Sequence, residues 1–594
     1  MYLNLCMQVK RLVPGLVVFI SSVSIAQNPS YPRGYFRNPL AIPMELTANF
    51  GEIRSDHWHM GLDLRTRQKE NQPVYAAAAG YISHVGIRPH SFGRYIVINH
   101  PNGLSTLYAH LNEFFPALET YVRRRQHELE QWSVELDLDS RLFPVRKGQF
   151  IAYSGNTGGS QGPHLHFEIR ETRSQKCLNP LLFGFPLADE VPPDLYKLAV
   201  YDADRSVYRQ TPVLYSLKRT DSGYVLSGNA AITTGYRRLR FALQASDRLS
   251  GSPNPNGIYS AFLFGDSSLL SGFVLDSISY SESRFINAQI DYRQAFNSGA
   301  DLQFLSPLPG DVGPVYHFLG PAELSDSIAG SFGIEVRDAA RNLSRLRFSM
   351  QYSDSLRSLP NPVEKELLVP GAANHIRRAE FEALFSNNNV YDTVPVVYWQ
   401  KEIFPDASVS RLHQLNDLSL PVHEKFTVKV RPARELPEEW KQRLILRRES
   451  EARKAEWENG WITASFNDFG SFQAFVDLAP PEIAAPAKAK WGDTLDLSPS
   501  TSIVFRPADN FGIKSFRAEL NGQWAIFSND KGRTWVHRFD SGFRYGLHHL
   551  RVRVEDLAGN ITEKEWWFRK LPYSPPKKKA ARKKSAKPRS KSRR

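Results

Sequence analysis

Three features of this 594-residue chain predict a mainly β, multidomain protein. From residue 194 to Pro572 it runs in short stretches of alternating apolar and polar residues. Gly, Pro, Asn and Asp break these stretches at the intervals expected of β-sandwich modules. Two stretches echo each other: an alternating strand from Gly333 leads into Asp338-Ala339-Ala340-Arg341-Asn342, and another from Leu550 leads into Asp556-Leu557-Ala558-Gly559-Asn560. Each ends in an Asp-x-Ala-x-Asn turn. The third feature is length, which exceeds what one hydrophobic core supports and implies three to five domains. At 41% hydrophobic and 12% aromatic residues the chain can fill such cores, which excludes global disorder.

In chain order, residues 1–26 read as a secretory signal: Lys10-Arg11, an apolar run from Leu12 to Ile25, then Ser24-Ile25-Ala26 before Gln27. That run is short for a membrane span, and no later segment reaches about 18 apolar residues. With Cys6 removed alongside the signal, Cys177 stands alone and no intramolecular disulfide can form. An exported protein of the cell envelope or periplasm is the expectation.

Residues 59 to 166 hold the chemistry. His59-Met60-Gly61-Leu62-Asp63, Tyr108-Ala109-His110 and His164-Leu165-His166 together offer two His and one carboxylate for a metal, with two further His to spare. A catalytic zinc site needs three protein ligands and one open position. A His that binds no metal can move protons or stabilise charge beside it. Gly61 weakens a helical reading of the His59/Asp63 pair, and an extended segment at a turn lets the two converge as well. His164 and His166 lie two apart, so on a strand they share a face while Leu165 points the other way. Phe167 and Ile169, flanking Glu168, continue that alternation.

Joined to the run Ser154-Gly155-Asn156-Thr157-Gly158-Gly159, these motifs resemble the lysostaphin-type zinc metallopeptidases, the bacterial cell-wall endopeptidases. The resemblance is carried by FGEIRSDHWHMGLDL (50–64), VYAAAAG (74–80), NHPNGLSTLYAHL (99–111) and KGQFIAYSGNTGGSQGPHLHFEIR (147–170), and covers roughly residues 45 to 185. It implies a mainly antiparallel β-sheet peptidase domain at 27–185 with a groove over Zn2+. His59, Asp63 and His166 would be its ligands. His110 and His164 would be the catalytic pair, one the general base and the other the oxyanion stabiliser. His57-Trp58-His59 is a second His-x-His, in which the family register favours His59 and leaves His57 at the rim. Packing or surface roles are expected for His84, His90 and His127, a turn for His100, and structural roles for His548 and His549.

Over thirty residues separate His110 from the Val145–Gln149 strand entry. Leu118, Val122, Leu129 and Trp132 recur at helical spacing with Tyr121 beside them, so an inserted amphipathic helix is expected at about 116–133. It would either pack on its own domain's flank, or border the substrate groove or dock on a downstream module. A linker follows at Pro186–Pro193. Beyond it we expect an immunoglobulin-like β module at 194–355, a β-rich module at 356–480 with helical spacing at best in its charged Glu435–Glu456 stretch, and a second immunoglobulin-like module at 481–572.

The net charge of +14 is concentrated at the end of the chain. Eleven Lys or Arg and no acid fall within 577–594, leaving about +3 on the remainder. The tail (573–594 in our division) should be disordered and meet anionic envelope polymers or lipids, with no nucleic acid expected. The function expected is a secreted zinc metalloendopeptidase cutting peptide bonds in peptidoglycan stems or cross-links. The alternative is a gated or catalytically silent peptidoglycan-binding scaffold, or an activator of another wall hydrolase.

Overall fold

The computed structural model describes residues 31–573 apart from 229–230, 326–328, 358–365, 488–489 and 492. The expected signal at 1–26 and the basic run from 577 lie outside the described residues. Within them the chain is mainly β, and no helix is long and apolar enough to cross a membrane.

The first unit holds β1 (Leu46–Ala48), β2 (Leu62–Arg65), β3 (Pro73–Tyr75), β4 (Gly80–Ile87), β5 (Arg94–Asn99), β6 (Leu104–Ala109), β7 (Leu111–Phe114), α1 (Pro116–Leu129), β8 (Val134–Asp137), β9 (Pro144–Val145), β10 (Phe150–Ser154), β11 (His164–Glu171) and β12 (Cys177–Leu178). The main sheet runs β1-β2-β11-β6-β5-β4-β8, and a smaller one runs β3-β10-β7. Alternation sets the faces: Leu62, Leu64, Ile96, Ile98, Leu165 and Phe167 are buried in one core. Each such side chain contributes about 1.5–3 kcal/mol of burial. In the antiparallel β2–β11–β6 array, His166 stands opposite both Asp63 and Ala109. That register brings three distant sequence motifs to one end of three adjacent strands.

The inserted helix forms as α1, with Pro116 at its first position and Glu130 closing it in the left-handed region. Its buried stripe is Leu118, Val122 and Gln126. Leu129 does not complete it: that side chain is 43% exposed, and Trp132 lies beyond the helix end. Gln126 fills the fourth-residue position because its amide reaches the Trp132 carbonyl at 2.5 Å.

Beyond β12 the chain is again strand upon strand. The strand Ser277–Ile278 pairs with β12, extending the main sheet of the first unit with residues from the following region. Phe50, Trp58, Met60 and Cys177 share a core with Leu198, Phe273 and Ile278, and Trp58 Nε1 donates to Gln289 Oε1 at 2.6 Å. That same core continues through Ile376, Phe426 and Phe472, between two five-stranded sheets that lie within residues 374–476. The last strands, up to Lys570, surround a separate core of Leu495, Ile503, Val552 and Phe568. The Glu435–Glu456 stretch forms only a 3-10 turn at Glu438–Arg443 before the strands Leu444–Arg448 and Glu451–Lys454. Leu444, Ile445 and Leu446 are buried in succession, and the charged Arg447, Arg448, Glu451 and Arg453 that follow are half-buried.

Candidate metal and catalytic site

The site forms where β2, β11 and the turn after β6 meet. His59 precedes β2, and its Nδ1 donates to the Asn49 carbonyl at 2.7 Å, which leaves Nε2 free to face the site. That Nε2 lies 3.0 Å from Asp63 Oδ1 and 3.0 Å from His166 Nδ1, and His166 Nδ1 lies 2.9 Å from Asp63 Oδ1. Two imidazole nitrogens and one carboxylate oxygen thus converge, all within 4.8 Å of one another. Burial opposes ionisation of Asp63, but His59, His164 and His166 outweigh it and hold the carboxyl well below its usual range. The donor set suits zinc: nitrogen and oxygen ligands from three side chains, each His with its other ring nitrogen already engaged.

His166 shows that engagement most fully. Its Nε2 donates to Glu168 Oε1 at 2.8 Å. Glu168 is completely buried and also accepts from Arg170 Nε at 2.6 Å and from the Tyr280 hydroxyl. Burial would raise the Glu168 pKa, but Arg170 and His166 together hold it down to about 2. Burial would lower that of His166, but Asp63 and Glu168 push it up to about 9. Cys177 Sγ lies 3.5 Å from Glu168 Oε2, and burial with that neighbour holds the thiol protonated.

His110 and His164 stand beside the three converging groups, with ring centroids 4.7 Å apart. His110 takes a left-handed backbone at φ 59°, an uncommon conformation for a side-chain-bearing residue and one that clusters at functional sites. Its Nδ1 donates to the Thr157 carbonyl at 2.8 Å. Burial, then His164 and His166, lowers its pKa to about 3, so the ring is neutral near pH 7 with Nε2 as acceptor. His164 Nδ1 sits 2.8 Å from the Gly162 carbonyl and its Nε2 3.4 Å from Asp63 Oδ1.

These groups border a groove of about 870 Å³ whose walls include Phe92, Gly159, Pro163 and Tyr280. His57 lines the same groove at its exposed rim, paired with Asp56 at 2.7 Å, and does not join the three converging groups. His84 is held between Asp137, Glu135 and Tyr95. His100 is buried between Ala79 and Thr106. His548 stacks on Phe568.

Sequence reasoning missed Glu168, Arg170 and Tyr280. The first two were legible in principle, since His164, His166, Glu168 and Arg170 alternate along one strand. Tyr280 carried no such signal, because it comes from 112 residues beyond Glu168.

The far side of the groove is tied to the last β region. Gly158, at φ +69°, has its nitrogen facing Asp530 Oδ1 at 2.7 Å, and a Cβ there would meet the Gly93 nitrogen at 2.2 Å. Lys531 Nζ donates to the Ser160 carbonyl at 2.6 Å, and its backbone nitrogen to Pro89. The helix α1 docks on the same region through Arg517–Glu130 at 2.6 Å, Arg123–Asp540 at 3.9 Å and His127 edge-on to Trp524.

Residues 57–127 and 141–180 match the profile of Peptidase family M23, and residues 365–477 match that of a Zu5-like domain. The chain is 30% identical over 169 residues to an uncharacterized metalloprotease of Haemophilus influenzae, covering 27% of this chain and 29% of that protein. It is 34% identical over 128 residues to the DD-carboxypeptidase/endopeptidase Mpg of Neisseria meningitidis, covering 22% and 23%. The chain thus spans less than a third of either relative. Against lipoprotein NlpD of Yersinia enterocolitica it is 31% identical over 112 residues, which are 19% of this chain but 89% of that protein. Through the segment that carries the five His and Asp residues, the chain belongs to Peptidase family M23, the lysostaphin-type metallopeptidases.

Proposed function

We propose that this protein is an exported zinc metalloendopeptidase that hydrolyses peptide bonds in peptidoglycan stems or cross-links. The observation that carries the reading is the convergence of His59 Nε2, Asp63 Oδ1 and His166 Nδ1 at an open groove, with two further His beside them. The names of the relatives from Neisseria and Yersinia, and the signal-like residues 1–26, support a substrate in the cell envelope. His59, Asp63 and His166 would hold the metal, which when bound supplies Lewis acidity and lowers the pKa of water.

The remaining roles fall to the chain's own groups. His110, neutral and oriented by Thr157, accepts the proton of the attacking water at Nε2. His164, oriented by Gly162, donates to the oxyanion that develops on the scissile carbonyl. Glu168, held by Arg170 and Tyr280, keeps His166 in the tautomer that presents Nδ1. The open groove admits an extended peptide strand, as a cross-link requires. Digestion of purified sacculi with the full chain, followed by mass spectrometry of the released muropeptides, tests the proposal. Intact sacculi after digestion with zinc-loaded protein would count against it.

A gated form of the same enzyme is favoured by one observation. Asp530 and Lys531 grip Gly158 and Ser160 at the groove's edge, so the last β region controls how far that rim can open. The basic tail would hold the protein to anionic wall polymers or lipids.

A further inference from the structure

Outside the peptidase site, two carboxylate clusters repeat the same construction. In the first, Asp189 comes from the linker after the peptidase, Asp247 from the turn after the strand Arg238–Ser246, and Asp338 from the Asp-x-Ala-x-Asn turn. In the second, Asp477, Asp509 and Asp556 hold the corresponding places. Each cluster has its ligand oxygens within 4.8 Å of one another.

The correspondence extends to single atoms. Asp189 and Asp477 each open an Asp-x-x-Pro-Pro-acid linker, and each accepts from the nitrogen two residues on at 3.2 Å. Asn342 Nδ2 bridges the Asp189 carbonyl at 3.1 Å and Asp338 Oδ2 at 2.7 Å. Asn560 Nδ2 bridges the Asp477 carbonyl at 2.9 Å and Asp556 Oδ2 at 2.8 Å. Asp194 pairs with Ser246 just before Asp247, and Glu482 pairs with Ala508 just before Asp509.

Acidic clusters alone need no ligand, but here buried oxygens are left without a donor. Asp247 is 5% exposed and its Oδ1 has no hydrogen-bond partner. Asp477 is 1% exposed and its Oδ2 has none either. Among the described residues none of the six carboxylates is in an ion pair. Burying charged oxygens without a counter-charge is costly. In the first cluster burial, then Asp338 and Asp189, pushes Asp247 up to about 8. Near the second, Lys454 and Arg443 both donate to the Ala558 carbonyl and partly offset the charge.

We propose that both clusters are calcium sites, the tighter one at Asp189/Asp247/Asp338, and that bound calcium stiffens the two linkers at which they sit. Calcium takes six to eight oxygen ligands in flexible geometry, which three carboxylates and nearby carbonyls can supply without nitrogen or sulfur. A cation there would join the linker Asp to two turns of the following β region, setting the angle between peptidase and the first region, and between the 374–476 sheets and the last region.

The test titrates calcium chloride into the zinc-loaded full chain, previously stripped of calcium, and counts bound ions by equilibrium dialysis. Two ions per chain are expected, with dissociation constants on the order of 10⁻⁴–10⁻³ M. Thermal unfolding should shift up by about 2–4 °C at roughly ten times the dissociation constant. Asp247→Asn should bind one ion and Asp247→Asn/Asp509→Asn none. Without calcium, Asp247→Asn should unfold no earlier than the wild type, since it removes repulsion, which separates lost binding from misfolding. Should that variant fail to fold, Asp189→Asn is read the same way. No binding by the wild type at millimolar calcium, or two ions retained by the double variant, would overturn the proposal.

Discussion

His166 Nε2 and Glu168 Oε1 lie 2.8 Å apart on one face of β11, so the strand that supplies the proposed metal ligand also supplies the carboxylate that orients it. Arg170, two residues further on, and Tyr280, from the next region, also donate to Glu168, so the orienting carboxylate is itself held by two further partners.

Replacing that carboxylate should therefore act through the metal. We expect Glu168→Gln to weaken zinc affinity by about 10–100-fold, the usual effect of losing an outer-shell partner. Competition with a chromophoric chelator measures it. Wild-type affinity in a folded variant would leave Glu168 a purely structural role.

The five site residues should separate into two groups. His166→Ala is expected to lose zinc and activity together. His110→Ala and His164→Ala should keep near-stoichiometric zinc while turnover falls by about 10²–10⁴. Metal analysis beside muropeptide release decides it, and loss of zinc in His164→Ala would reverse the roles within the His-x-His pair.

The grip of the last β region on the groove rim predicts a gain of function. Asp530→Ala/Lys531→Ala removes two charge-assisted contacts, so hydrolysis of intact sacculi should rise about tenfold if rim opening limits access. Rates on a small soluble stem peptide should change less. Equal rates for wild type and variant on both substrates would show that the contact only packs the two regions together.

Stability without calcium should depend on pH through Asp247. Its folded pKa of about 8 lies above the ordinary carboxylate value, with Asp189, Asp338 and Asp194 as its charged neighbours. From about pH 4 to 8 the folded chain holds a proton that the unfolded chain releases, so this group's contribution declines as pH rises through that window. Calcium-free wild type should thus lose more unfolding temperature between about pH 5 and 8 than Asp247→Asn, and calcium should flatten the difference. Identical pH profiles would contradict it.

Deleting residues 577–594 should release protein from anionic vesicles or wall fragments at low salt without altering cleavage of soluble fragments. Bound and free fractions with and without the tail measure this.

Local pattern was enough to read the strands and the helix of the first unit. The two-residue period put His164 and His166 on one face, and the 3.6-residue period of Leu118 and Val122 marked α1, because both depend only on how a side chain projects from its own element. The same reasoning misplaced the helix's end, since Glu130 turns left-handed and closes α1 before Trp132. It missed buried Gln126, whose amide donates to the Trp132 carbonyl in a way hydropathy does not register. It also read helical spacing into a charged stretch that strand pairing turned extended. Tertiary structure alone decided that Tyr280 closes on Glu168, that Trp58 reaches Gln289, that Asp530 grips Gly158, and that Asp189, Asp247 and Asp338 meet. These contacts join residues tens to hundreds of positions apart, so they follow from sheet register and from how separate β regions pack, which no local periodicity encodes.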